Sequence, residues 1–357
     1  MQMTSTTWSN MIRGVALGDA WGDLHEFAPI ARIVKDNPKG PDVPAKLRIT
    51  DDTQMTLYLA DALDASWDDS QEEVKEAIED MFLTYYDDPD NNRAPGITVM
   101  SSLGALKRGG DWRKATSTHS DGSGTVMRAT PLAFLPEDRW VGVTAFSAAI
   151  THGSPTGIAA AILNVKILRD ILASKVTVGN LLWHALELAS AAQEYGLTEV
   201  GQWLDGYEVD LVAGFDMIYG LIEKALAKLP ELRGDPWALT SDPSLAVPEA
   251  GGKGGGWRAP FTLVIALLAA DMLPGDPMGA LRRAVMTDGD SDTIGAVAGG
   301  LIGAIYPSVF LANWTERLVL RDRLEARYVA WIENEADDYA WVSDAGRKMV
   351  GLMTAGR

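Results

Sequence analysis

Apolar residues in this chain recur at three- and four-residue intervals. Trp8, Met11, Ile12, Val15 and Ala16 fall at i, i+3, i+4, i+7 and i+8, the stripe of a helix with one buried face. Met55, Leu59, Ala62 and Leu63 repeat it, as do Ile158, Ile162, Val165 and Leu172. Leu211, Phe215, Ile218, Ile222, Ala225 and Leu229 extend it over five turns, and Phe261 to Met272 reads as a helix buried on nearly every side. Period-two alternation is hardly seen, and Val and Ile do not cluster in strand-length runs. The pattern predicts an all-α protein. Near the end, Gly295, Gly299 and Gly303 lie four apart among Ile294, Val297, Ala298, Leu301, Ile302 and Ile305, a row that lets another backbone approach closely.

The periodicity breaks at Phe27 to Ile49, Asp87 to Pro95, Thr116 to Gly124 and Ser241 to Gly256. The last break, with its glycine run, reads as a linker or as a mobile loop over a site. It lacks the GxxxxGK[ST] spacing of a phosphate-binding loop. Segments with chemical promise lie on both sides of it, so residues 1–357 are expected to form one domain.

Composition narrows the function. The chain has 357 residues, 47% of them hydrophobic, enough for a large core. No apolar run approaches the roughly eighteen residues of a membrane span, and no basic-then-apolar leader opens the sequence, so the cytoplasm is the expected location. There is no cysteine, which excludes disulfides, thiolate metal sites and a cysteine nucleophile. The net charge of −18 opposes binding to nucleic-acid backbones. A small anionic ligand is still permitted if a metal or local donors reverse the field.

Four segments carry candidate chemistry besides the C-terminal one. In Gly18-Asp19-Ala20-Trp21-Gly22, Asp19 continues the buried stripe of Trp8. A buried carboxylate has to be hydrogen-bonded or bound to a cation, and Asp19 is read first as a tie between helix and loop backbone. Glu26 lies past the helix end, where it can reach into a cleft. Thr50-Asp51-Asp52-Thr53 places adjacent carboxylates before a helix, where either the helix dipole or a cation offsets their repulsion. Ser120 to Arg128 combines glycines, whose backbone a ligand can approach, with a helix start whose N–H groups suit a phosphate. His152, in Thr151-His152-Gly153-Ser154-Pro155, stands at a junction where it either bonds structure or meets an anion.

Gly289-Asp290-Ser291-Asp292-Thr293 mirrors the Thr50 segment, with two carboxylates and a hydroxyl at the mouth of the glycine-row helix. Two such oxygen clusters facing each other would enclose divalent ions. Because the histidines show no metal-ligand spacing, the oxygen set points to Mg²⁺ or Mn²⁺ over zinc.

In this order the segments read GDAxG, TDDT, GxGxxMRxxPL, THxxP and GDxDT, and the chain resembles the ADP-ribosylglycohydrolases, of the dinitrogenase reductase-activating or ADP-ribosyl-acceptor hydrolase type. Ser123 departs from the Asn or Cys of many members, and Trp21 from a common aliphatic residue. The resemblance implies a single-domain orthogonal helical bundle holding two Mg²⁺ or Mn²⁺ ions. It implies Thr50, Asp51, Asp52, Asp290, Asp292 and Thr293 as metal ligands. Gly122, Ser123, Gly124, Thr125 and His152 would contact the diphosphate of ADP-ribose. Proton transfer would fall to Asp51, Asp52, Asp292 or Glu26, with Glu26 also governing access. The implied reaction releases ADP-ribose from an ADP-ribosylated protein or small molecule, arginine on a protein being the first choice, by a monomeric enzyme. Two other readings are a binding or immunity protein that captures modified partners with little turnover, and an unrelated two-metal phosphohydrolase. The complete acidic set disfavours the first. The missing histidine–aspartate pairs disfavour the second.

Overall fold

The computed structural model describes residues 5–40, 42–43, 48–66, 68–191, 197–247 and 256–310; the glycine run of the 241–256 segment and the last 47 residues lie outside the described part. The architecture is all-helical. The longer helices are α1 (Ser5–Gly22), α2 (Asp51–Ser66), α3 (Gln71–Asp87), α4 (Ile97–Lys107), α5 (Trp140–Ala149), α6 (Pro155–Leu172), α7 (Leu181–Ser190), α8 (Leu211–Gly234), α9 (Ala259–Met272), α10 (Pro277–Val285) and α11 (Ser291–Ile305). Among the described residues the only β pairings are two isolated bridges, Ser117 with His152 and Gly122 with Arg258. Both touch the functional region.

The closest pair among the described helices joins α1 to α11, the first and last of them. Gly14, Gly18 and Gly22 of α1 face Gly299, Gly295 and Ser291 of α11, in reversed order, so the two helices run antiparallel. A Cβ on Gly14 would lie 2.2 Å from the Gly299 carbonyl oxygen, and one on Gly22 2.2 Å from that of Ser291. Glycine is required there because backbone meets backbone. At the far end of the pair Asn10 Nδ2 donates to the carbonyls of Gly303 (2.7 Å) and Tyr306 (2.8 Å), while its Oδ1 accepts from Phe310 N (2.7 Å). That clamp fixes the register, so the C-terminal end of α1 meets the start of α11, where the acidic residues sit.

Around this pair α9 is buried along its whole length, as its apolar sequence predicts, and packs on α6, α8, α10 and α11. Its one carboxylate, Asp271, is satisfied by capping α7: Leu181 N and Leu182 N donate to it at 3.1 and 2.9 Å. Local signals set other boundaries. Ser70 and Glu73 form a reciprocal capping box at the start of α3. Ser154 accepts from Gly157 N (3.1 Å) where Pro155 opens α6. No described helix is long and apolar enough to cross a membrane.

Candidate metal and ligand site

Asp19 organises the first acidic segment. It is fully buried on α1 and accepts from Thr50 N (3.0 Å), Thr50 Oγ1 (2.8 Å), Thr53 N (3.1 Å) and the Thr53 hydroxyl. Burial lifts its pKa to about 6, against the pull of those donors. This is the helix-to-loop tie expected of it, and it leaves Asp51 and Asp52 free to face forward. Asp51 Oδ2 accepts from Gly96 N (3.0 Å), and Asp51 N donates to the Arg93 carbonyl (3.0 Å), so the 93–96 loop is stitched to the first turn of α2. Asp52 keeps its Oδ1 buried with no hydrogen-bond partner. An ionised oxygen left in that state is costly unless a cation meets it.

The second acidic segment enters from α11. Asp290 and Asp292 each present a carboxylate oxygen within 4.8 Å of one another and of a Glu26 oxygen. Phe27 N donates to the Gly289 carbonyl (2.9 Å), which ties the Glu26 loop to this turn. Ser123 Oγ donates to Asp290 Oδ2 (3.3 Å), linking the glycine-rich segment as well.

These groups line a cavity of about 440 Å³. Glu26, Asp51, Asp52, Asp290, Asp292 and Thr293 form its acidic wall. Gly122, Ser123, Gly124 and His152 form the facing one, and among the described residues no lysine or arginine lines it. Burial raises every carboxylate of the wall, and repulsion from neighbouring carboxylates adds to it for all but Asp290. Asp51 stands well above the usual range through burial and then, against the Gly96 amide, through Asp19 and Asp290. Asp52 and Asp292 also stand well above it, through burial and then through Asp51 and Asp290 respectively. Burial raises Asp290, and burial with Asp290, Asp23 and Asp19 lifts Glu26 to about 7. Five carboxylates in one cavity, one with an orphaned oxygen, are the donor set of hard divalent ions.

Two residues expected at the site stand behind the wall. Thr50 spends its hydroxyl proton on Asp19, and Thr125 is buried off the cavity surface. The glycine-rich segment is also less free than its sequence suggests. Ser123 N donates to the Trp257 carbonyl (2.9 Å), Ala259 N to that of Asp121 (2.7 Å), and Arg258 grips the Asp121 carboxylate through Nε and Nη2 (2.6 to 3.0 Å). Gly124, in the first turn of a short 3-10 helix, has an N–H that the turn itself does not pair.

Sequence reasoning missed the rim. Phe27, Ile97 and Trp257 line the cavity mouth with exposures of 53%, 89% and 49%. Phe27 holds a positive φ of 51°, rare for an aromatic residue, and Ala94 on the opposite side one of 55°. The signal available was position: Phe27 follows Glu26, and Trp257 follows the glycine run.

Comparison with known proteins shows what the chain as a whole is similar to. The family model described as ADP-ribosylglycohydrolase matches residues 9–343. An uncharacterized protein of Archaeoglobus fulgidus is 27% identical over 258 residues, which are 63% of this chain and 81% of that protein. A solved structure described as an ADP-ribosylglycohydrolase-related protein complex shares the fold with a TM-score of 0.51 and 24% identity, over 92% of this chain and 97% of the other.

Proposed function

The chain belongs to the ADP-ribosylglycohydrolase family, and on that premise we propose that it hydrolyses the ribose C1 bond of an ADP-ribosylated acceptor, first of all protein arginine, with two Mg²⁺ or Mn²⁺ ions. The observation that carries the reading is the convergence, in one cavity, of carboxylates from two helix starts about 240 residues apart in sequence, opposite a glycine-rich turn and a histidine. Asp51, Asp52, Asp290, Asp292 and Thr293 would hold the ions, with Thr50 contributing through the oxygen it keeps 3.3 Å from Asp52 Oδ2. Bound there, the ions would supply positive charge for the ribose and diphosphate and Lewis acidity towards water at C1.

The chain's own groups divide the remaining work. His152 and the first-turn amide of Gly124 face the diphosphate across from the acidic wall. Glu26 is the only carboxylate of the wall that is half-buried, so it can exchange a proton with solvent. It is suited to take the proton of the attacking water or return it to the leaving nitrogen. Arginine as acceptor is supported by the setting of Glu26 beside the open ring of Phe27, because a guanidinium is met well by a carboxylate and an aromatic face together.

The test is release of free ADP-ribose from an ADP-ribosyl-arginine substrate with Mg²⁺, with Mn²⁺ and with EDTA. Metal-dependent release is expected. Silence with both metals, while ADP-ribose binds in their presence, would refute arginine as the acceptor; no binding at all would refute the function.

A further inference from the structure

His152 is buried, and its ring packs on the glycine-rich turn: a Cβ on Gly122 would lie 3.0 Å from Nε2, and one on Gly124 2.7 Å from Cε1. The opposite ring nitrogen is engaged inside the protein. Arg128, fully buried with its guanidinium 4.6 Å from the Phe82 ring centroid, places Nη2 on the Ser147 carbonyl and 2.8 Å from Thr151 Oγ1. Thr151 Oγ1 is in turn 2.8 Å from His152 Nδ1. The backbone on either side is pinned. Ser117 N (3.2 Å) and Ser102 Oγ (2.9 Å) both donate to the Thr151 carbonyl, and Gly153 N donates to that of Ser117 (2.9 Å).

The direction of this chain follows from what each group can do. A guanidinium only donates, so Arg128 takes a lone pair of Thr151. If Nδ1 carried the ring proton, it too would donate to Thr151, and the threonine's own hydroxyl proton would be left without an acceptor in a site with no solvent. Leaving a buried donor unmet costs about 5- to 150-fold in the tautomer ratio. With the proton on Nε2, Thr151 donates to Nδ1, and neither the threonine proton nor the Nδ1 lone pair is left unmet.

We propose that Arg128 and Thr151 are positioning residues that lock neutral His152 in its Nε2–H tautomer, so that a hydrogen-bond donor rather than a lone pair faces the ligand beside Gly122 and Gly124. Burial, and secondarily the Arg128 charge, hold the ring's pKa at about 3, so the doubly protonated ring does not compete. The histidine is therefore an uncharged donor aimed at an oxygen of the ligand. That the oxygen belongs to a diphosphate rests on the function proposed above; the tautomer does not.

The experiment is long-range ¹H–¹⁵N correlation NMR on the ligand-free, histidine-labelled protein, with the His152 signals assigned by their loss in His152→Gln. Wild type and Thr151→Ser are expected to show protonated Nε2 and bare Nδ1, whereas Thr151→Val shifts population towards Nδ1–H. Calorimetry with ADP-ribose and Mn²⁺ is expected to show affinity falling about tenfold or more in Thr151→Val and recovering in Thr151→Ser. A protonated Nδ1 in the wild type, or an unchanged tautomer in Thr151→Val, overturns the lock. The expected tautomer with no ADP-ribose binding at all upholds the lock and overturns the function proposed above.

Discussion

Gly18→Ala and Gly220→Ala are the same substitution in two helices, and the structure gives them opposite signs. In α8, Gly220 has no heavy atom of the described residues within 4 Å of where a Cβ would sit. Alanine there gains only helix propensity, stabilising by up to about 1 kcal/mol. In α1, a Cβ on Gly18 would lie 1.9 Å from the Gly295 carbonyl oxygen and 2.3 Å from its carbon, where ordinary contact begins at 3.4 Å. The shortfall of about 1.5 Å falls on backbone, so no side chain can swing away and α1 must part from α11. Overpacking of this kind costs about 1–3 kcal/mol, here at the upper end, and the propensity gain offsets only part of it. A net loss of about 2 kcal/mol is expected from urea midpoints at unchanged m-value. Parting the helices also moves Asp19, which sets Asp51 and Asp52, away from Asp290 and Asp292. Metal affinity read by calorimetry should therefore fall in Gly18→Ala and stay put in Gly220→Ala. A Gly18→Ala protein as stable as Gly220→Ala, with an unchanged isotherm, would refute the reasoning.

Other perturbations bear on the same site. Asp292→Ala should abolish metal-dependent release of ADP-ribose with helix content by circular dichroism unchanged; full retained activity would remove Asp292 from the site. Without metal, Glu26 and Asp19 titrate in the folded chain at about 7 and 6, above their ordinary 4.5 and 3.8. Protons are then bound more tightly folded than unfolded, so stability present below pH 4 is lost as pH rises through 6 to 7. Melting in EDTA should fall across that window, and divalent metal should restore most at its upper end; a flat profile would contradict the raised values. Asp19→Asn turns a donor towards Thr53 N, which should cost about 1–3 kcal/mol and weaken metal binding. An isotherm equal to wild type would show that Asp19 does not set the Thr50–Thr53 turn.

The helical class was legible because burial on one face imposes a 3.6 period. Trp8, Met11, Ile12 and Val15 are all buried in α1 as their spacing requires. So was the acidic site: paired carboxylates before a helix are too costly to go uncompensated, and they recur at Asp51-Asp52 and Asp290-Asp292. The glycine row of α11 was readable, but its counterpart Gly14, Gly18 and Gly22 was not, since only tertiary contact gives that spacing a meaning. The helix α3 carries a readable stripe, Val74, Ile78, Phe82 and Tyr85, that its charged surface obscures. Thr50 was named through the family resemblance alone, because sequence does not show which way a hydroxyl points; here its proton goes to Asp19. The rim residues Phe27, Ile97 and Trp257 were illegible for a general reason, since large apolar side chains are ordinarily read as core.

The pairing of α1 with α11 also sets a clock on synthesis. Gly18 leaves the ribosome early, and the backbone it must meet, at Gly295, is made 277 residues later. At ordinary elongation rates that interval is roughly 15 to 55 seconds, during which the glycine face of α1 has no partner and Asp290 and Asp292 do not yet exist. A nascent chain therefore cannot assemble the complete acidic wall. Premature termination anywhere before α11 yields a product without Asp290 and Asp292, with half of the acidic wall missing rather than weakened. It also leaves the glycine face of α1 without the backbone it is shaped to meet.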